Sequence, residues 1–182
     1  MRKPTVLSSE VIARGRVFNV RRDRVTDGSR EYFRDVVVHR GAVAVIPLLD
    51  DGEVLLVRQY RYAVDEELIE VPAGTLEEGE EPVRCAGREL EEETGYVAGR
   101  LEHLADFYLA PGYSSERIIV FVAEDLRRGR QGLDFDESIE VLRVRLGDAL
   151  EMIRRGEIKD AKTIASLLYY VLFLKHGSVQ TP

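Results

Sequence analysis

Residues 74–96, GTLEEGEEPVRCAGRELEEETGY, restrict the fold of this chain more than any other stretch. The alternating run Leu68-Ile69-Glu70-Val71-Pro72 leads in as a strand, Ala73-Gly74 ends it, and a loop holding Gly79 hands over to a helix. Pro82 opens that helix, where a missing N–H costs no hydrogen bond, and Glu80 and Glu81 before it suit the positive end of the helix dipole. Gly95 closes it. The spacing predicts a helix over 81–94. At about 100° per residue, Glu89, Glu92 and Glu93 leave it on one side, while Val83, Ala86 and Leu90 form an adjacent apolar stripe that can anchor it on a sheet. Three carboxylates on one face repel one another unless a cation sits among them. Hard divalent ions such as Mg²⁺ favour this kind of oxygen-rich, partly hydrated site shared with phosphates. Arg88, beside the cluster, can hold a carboxylate by a bidentate contact. An acidic helix face is in general most often just a solvated surface, so the flanking residues decide between the two readings.

The remainder of the chain supplies a sheet for this helix. Residues 17–21 lead to a hairpin signal at Asp27-Gly28-Ser29, and 32–39 resume a β-rich run. Residues 42–49 are continuously apolar up to the turn Asp50-Asp51-Gly52, and 54–57 are apolar again, so these two are expected to pair as a buried hairpin. Residues 100–109 and 118–123 read as strands separated by Pro111-Gly112, and 139–146 as a last strand. A helix over 147–155 carries Ala149, Leu150 and Ile153 at helical spacing. Another starts near Asp160 as its cap and runs to about Lys175. Strands with one central and two terminal helices give an α+β domain, a mixed sheet with helices on its faces. Residues 1–40 form a strand-rich N-terminal extension, expected to pack on the main domain, 41–182, or on a second copy of it.

A chain of 182 residues, 45% of them hydrophobic, suits one domain with a real core. Its net charge of −7 argues against a nucleic-acid partner, since such binding is driven by basic patches. A polyanionic small molecule remains open, provided that a few arginines or a bound metal gather positive charge locally. The single cysteine, Cys85, excludes an intrachain disulfide and fits a reducing compartment. Residues 1–4 have no apolar stretch behind them, and 164–174, the most hydrophobic run, is too short to span a bilayer. A cytoplasmic protein with no membrane partner is therefore expected.

The spacing of the acidic segment resembles that of a known family. Gly74, five residues, Glu80, seven residues, Arg88-Glu89, the apolar Leu90, one residue, Glu92-Glu93, one residue, then Gly95 and Tyr96 match the signature of the Nudix hydrolase superfamily at every defined position. The resemblance implies the Nudix fold, a mixed sheet sandwiched between helices. It also implies Mg²⁺ or Mn²⁺ held chiefly by Glu89 and Glu93, with Glu92 supporting and the backbone carbonyl of Ala73 joining the metal shell.

Pro111 follows Gly95 by sixteen positions within Leu109-Ala110-Pro111-Gly112-Tyr113-Ser114-Ser115-Glu116, which resembles the ADP-ribose pyrophosphatase branch. So do Val57-Arg58-Gln59-Tyr60-Arg61-Tyr62, followed by Glu70-Val71-Pro72-Ala73-Gly74, and the tail Gly156-Glu157-Ile158-Lys159-Asp160-Ala161-Lys162-Thr163, read as structural. By this resemblance Arg61 faces the substrate phosphates. Arg16 and Val17, and the strand near Arg34 and Asp35, frame the adenine across a dimer interface, and Glu116 contacts ribose hydroxyls. Within Leu133-Asp134-Phe135-Asp136-Glu137-Ser138, Phe135 falls where the branch places its general base. Glu137 matches a second glutamate that can reach metal. The base is then Glu137, Asp134, Asp136, Glu92 or Glu93. The implied reaction is attack by water on the diphosphate of ADP-ribose, giving AMP and ribose 5-phosphate in a homodimer. The rivals are another nucleoside diphosphate sugar such as GDP-mannose, or a non-catalytic ligand sensor. Cys85 reads as packing, His39, His103 and His176 form no ligand set, and the aromatic residues of 169–173 read as core or interface.

Overall fold

The computed structural model describes residues 3–133, 135 and 138–175. Strands β1 (Thr5–Arg14), β2 (Phe18–Thr26) and β3 (Glu31–His39) form an antiparallel meander, and the expected turn at Asp27-Gly28-Ser29 joins the last two with Gly28 at φ +94°. Every residue of β1 is exposed. The meander joins the rest of the molecule where Val37 N donates to Tyr113 O (2.8 Å) and Ser115 N to Val37 O (2.9 Å).

The next two strands, β4 (Ala42–Pro47) and β5 (Glu53–Arg61), do not form the expected hairpin. A turn at Gly52 (φ +81°) and one bridge, Leu48 to Val54, connect them, and beyond it each becomes the centre of a different sheet. The reason lies in their composition. All of β4 and the stretch Val54-Leu55-Leu56-Val57 are fully enclosed, so each strand needs a neighbour on both edges and a layer on both faces. A two-stranded hairpin cannot provide that. β5 is flanked by β6 (Glu66–Glu70) on one edge, and β4 by the short β7 (Ala73–Thr75).

The acidic segment forms helix α1 (Pro82–Thr94) as expected, with Pro82 in its first turn and Gly95 left-handed at φ +70°, its N–H on Glu91 O. Strands β8 (Tyr96–Val97), β9 (Arg100–Tyr108), β10 (Arg117–Glu124), β11 (Arg127–Arg128) and β12 (Ile139–Arg145) follow, then helices α2 (Leu146–Arg154) and α3 (Ala161–Tyr170), the last continuing as a wider helical turn, Val171–Lys175. The four-stranded sheet has the order β7-β4-β10-β9 and is mixed, because β4 and β10 run parallel; β12-β5-β6 is antiparallel. The α+β class with a mixed sheet between helices is thus observed.

Period-2 alternation along β4 divides the core. Val43 and Val45 meet Cys85, Ala86 and Leu90 of α1, while Ala42, Ala44 and Ile46 lie in a second cluster with Ile158 and Leu167. Val83, expected in the anchoring stripe, is half exposed in the first turn. Cys85 takes its place, buried beside Ala86 and Leu90. Asp160 caps α3 as expected, accepting from Thr163 N at 2.9 Å. Among the described residues, no helix is long and apolar enough to cross a membrane.

Candidate active site

A cavity of about 460 Å³ opens between α1, the Ala73-Gly74 strand and the end of β5. On the α1 side the chemistry centres on Arg88. Its guanidinium grips Glu80 with two nitrogens (3.0 and 3.1 Å) and gives a third to Glu89 (2.8 Å) and Glu92 (2.9 Å). The bidentate hold inferred from sequence is therefore made, and its object is Glu80. The Arg88 hydrogen bonds keep the Glu80 carboxyl at about 2, well below the ordinary carboxylate range. Burial, with Glu80 nearby, pushes the Cys85 thiol up to about 12, so it stays protonated and packs.

The floor is the strand edge before the helix. Glu93, buried on α1, accepts a hydrogen bond from Ala73 N at 3.1 Å. Glu89 lies so close over Gly74 that a Cβ there would stand 1.9 Å from its carboxyl carbon. Position 74 thus has no room for a side chain while Glu89 keeps this place. Helical spacing brings Glu89 and Glu93 to one side of α1, where the floor sets Glu93 against Ala73 and Glu89 against the adjacent Gly74.

The opposite wall carries positive charge. Arg61, at the end of β5, gives two nitrogens to Glu70 of β6 (2.8 and 2.7 Å). Glu70 is 1% exposed and also accepts from Lys162 of α3, which reaches on to Asp160 at 3.0 Å. Burial alone would push the Glu70 carboxyl up. The Arg61 hydrogen bonds and the Lys162 charge overcome that and hold it down to about 2. The tail of 156–163, read as structural, therefore also reaches the site. Thr163 Oγ1 accepts from Val71 N at 2.9 Å, two residues before Ala73.

Of the residues inferred from sequence, Ala73, Glu89, Glu92, Glu93, Arg61, Arg16 and Val17 all line this cavity, the last two from the loop between β1 and β2 of the same chain. Glu116 lines an adjoining lobe of about 420 Å³ that shares Val17, Arg61, Ala73, Gly74 and Thr75 with the first. Arg34 and Asp35 are not brought there. Asp35 is held by Arg22 through two contacts of 2.7 Å, and Arg34 stacks over the Tyr32 ring at 4.4 Å. Glu137, Asp134 and Asp136 lie outside the described residues, and Phe135 is exposed. The approach to that loop is fixed on α1: Gly132 N donates to Glu92 O (3.0 Å) and Gln131 Nε2 to Glu93 O (2.7 Å). Sequence reasoning missed Glu70, Lys162, Arg40 and Gln59 as lining residues. Gln59, Glu70 and Lys162 stand in segments that resemble the ADP-ribose pyrophosphatase branch, but the resemblance gave them no place at the site.

The donor set suits a hard divalent cation. Glu89 and Glu93 present carboxylate oxygens over the same stretch of floor, Glu89 close over Gly74 and Glu93 on Ala73 N. Among the described residues no three acidic, histidine or cysteine groups are placed so that they could hold a metal ion by themselves, and the carboxylates of Glu80, Glu89 and Glu92 gather on Arg88. Mg²⁺ is commonly held by only one or two carboxylates, with phosphates and water completing its shell.

Comparison with known proteins agrees with this geometry. Residues 38–167 match the NUDIX domain. An ADP-ribose pyrophosphatase of Bacillus subtilis (strain 168) is 45% identical over 141 residues, 76% of each chain. A methanol dehydrogenase activator of Bacillus methanolicus is 38% identical over 175 residues, 93% of this chain and 95% of its own. A GDP-mannose pyrophosphatase of Escherichia coli O1:K1 / APEC is 40% identical over 154 residues, 79% of this chain and 80% of its own. A solved structure described as an ADP compounds hydrolase superposes with a TM-score of 0.85 at 26% identity, over 98% of both chains.

Proposed function

This chain belongs to the NUDIX domain family, and from that membership we propose that its cavity hydrolyses the diphosphate bridge of ADP-ribose, with Mg²⁺ or Mn²⁺, to AMP and ribose 5-phosphate. It is a hydrolase of nucleoside diphosphate-linked sugars. One observation carries the finer reading: a carboxylate-rich helix face and an arginine meet across Ala73-Gly74 in a single cavity. A diphosphate needs both, cations on its oxygens and a planar donor for a phosphate edge.

Glu89 and Glu93, with the Ala73 carbonyl, would hold the ion, which when bound neutralises charge on the diphosphate. Arg61 orients the phosphates, and the neighbouring lobe with Glu116 takes a sugar. Arg88 keeps Glu92 at the cavity and steadies Glu89. Water forms the new P–O bond as the bridging P–O bond breaks, and its proton passes to a carboxylate. We assign that role to Glu137, with Glu92 as the alternative. Support comes from the fixed approach to its loop, Gln131 and Gly132 on the last turn of α1.

We also propose a cytoplasmic homodimer, with Arg34 and Asp35 acting on the partner's substrate. The fully exposed β1, with Val6, Leu7, Val11 and Ile12 uncovered, supports an interface there. Light scattering that finds a monomer at micromolar concentration overturns it. A second substrate, GDP-mannose, is favoured by the 40% identity to a GDP-mannose pyrophosphatase.

The test is product release from a panel of nucleoside diphosphate compounds with Mg²⁺, with and without chelator. Chelator-sensitive turnover fastest on ADP-ribose is the expected result. Fastest turnover of GDP-mannose replaces the substrate, and no turnover at all overturns the catalytic reading.

A further inference from the structure

Glu70 and Lys162 are buried charges beside the cavity, at 1% and 8% exposure, and the chemistry proposed above uses neither. We propose that they are positioning residues for Arg61: Glu70 fixes the guanidinium, and Lys162 offsets the Glu70 charge so that Arg61 keeps its attraction for phosphate. The inference rests on the hydrolase reading.

Arg61 spends two nitrogens on Glu70, yet its side chain remains 40% exposed and lines both lobes of the cavity. A salt-bridged arginine has one attitude in place of many, which suits a planar grip on phosphate oxygens. The same pairing has a cost. A guanidinium with a carboxylate at hydrogen-bond distance is a neutral pair, and in a poorly solvated wall the carboxylate cancels most of the pull on an anion. Lys162 approaches the same carboxylate oxygen that takes Arg61 Nη2, from α3. With Asp160 on the far side of Lys162, the four groups carry two charges of each sign; without Lys162 two carboxylates would stand against the one guanidinium, which is the member that reaches both lobes of the cavity.

Helix α3 sets the place of Lys162. Asp160 caps that helix through Thr163 N and also receives Lys162 at 3.0 Å, so the ammonium is held between Asp160 and Glu70. Stability is a poor alternative explanation for such an arrangement. A buried ion network loses much of its attraction to desolvation, and apolar replacements of similar volume are often as stable.

The experiment is a double-mutant cycle on kcat/KM for ADP-ribose with Mg²⁺, using wild type, Lys162→Met, Arg61→Ala and the double variant, with thermal midpoints measured for all four. Acting through Arg61, Lys162→Met lowers kcat/KM about 10- to 100-fold in the wild-type background but less than about 3-fold once Arg61 is alanine. Lys162→Arg, which keeps the charge, recovers most of the loss. Equal losses in both backgrounds overturn the proposal, because a merely structural lysine would cost the same with or without Arg61. Where Lys162→Met does not fold, Lys162→Gln, whose amide can still donate to Glu70, runs the same cycle. A wild type that hydrolyses nothing overturns the hydrolase reading and this inference with it. An active wild type with additive losses overturns this inference alone.

Discussion

The two walls of the cavity are built on opposite plans. On α1 one cation, Arg88, sits among three carboxylates, Glu80, Glu89 and Glu92, leaving negative charge in excess. Across the floor one carboxylate, Glu70, sits between two cations, Arg61 and Lys162, and Asp160 takes Lys162 from the far side, so that the charges balance. The acidic wall is partly open to water, which suits a cation that arrives hydrated. The basic wall buries its central carboxylate, which suits a donor that must keep one direction. A diphosphate with a divalent ion would need carboxylates and a guanidinium in one cavity, and a chain of net charge −7 brings both to the same one by local arrangement.

The sharpest way to break the comparison is on the acidic wall. Glu93→Gln keeps shape, and its amide oxygen can still accept from Ala73 N, so the fold should survive. Removing the charge where a cation would be held should lower kcat by about 1,000-fold or more. Circular dichroism with a rate assay checks both points, and a near-normal rate would end the assignment of this wall to metal.

The basic wall should show itself in acid. The folded-state value of Glu70, about 2, lies below its ordinary 4.5. Its stabilisation is therefore complete above about 4.5 and is lost as pH falls from there towards 2. The full shift is on the order of 3 kcal/mol. Glu70→Gln has no carboxyl to titrate, so urea unfolding of the two proteins should differ most near neutrality and converge by about that much near pH 2. Glu80, held equally low by Arg88, is common to both and cancels in the difference. A gap independent of pH would show that Glu70 does not carry this charge.

The two walls also differ in how far the sequence discloses them. Glu89, Glu92 and Glu93 are within five positions on one helix, and a period of 3.6 places them on one side without knowledge of the fold. Pro82, Gly95 and the Asp160 cap were likewise legible, because proline, glycine and capping chemistry act locally. The Lys162–Glu70 contact joins residues 92 positions apart, and no local rule relates them. It depends on which face of the sheet receives α3. The β4–β5 pairing is hidden from the sequence for a related reason. Apolar runs joined by a turn fit one hairpin or two sheet centres equally well, and only the other strands decide. Arg34 and Asp35 fit the family pattern by position, yet their own contacts hold them away from this chain's cavity.

Arg61→Ala tests whether the walls work together. It should lower kcat/KM about 100-fold, the usual scale for one well-placed donor at a charged centre. Arg61→Lys should recover only part of that, since an ammonium cannot give Glu70 two parallel bonds. Complete recovery by lysine would mean that charge alone matters at this position.

The finest distinction concerns two glycines of the same segment. Gly79 has φ +77° with nothing within 4 Å of a Cβ built on it, whereas Gly74 is not left-handed but would drive its Cβ to 1.9 Å from Glu89. One is required by backbone conformation, the other by contact. Gly79→Ala should therefore cost about 1 kcal/mol of stability and leave the Mg²⁺ requirement alone. Gly74→Ala should change stability little, because the group it strikes is the end of a flexible side chain that can swing aside. The displaced carboxylate should then raise the Mg²⁺ concentration for half-maximal rate by about 10-fold. Melting curves and Mg²⁺ titrations of both variants separate the two effects. An unchanged Mg²⁺ requirement in Gly74→Ala would remove Glu89 from the metal-holding pair and leave that role to Glu93.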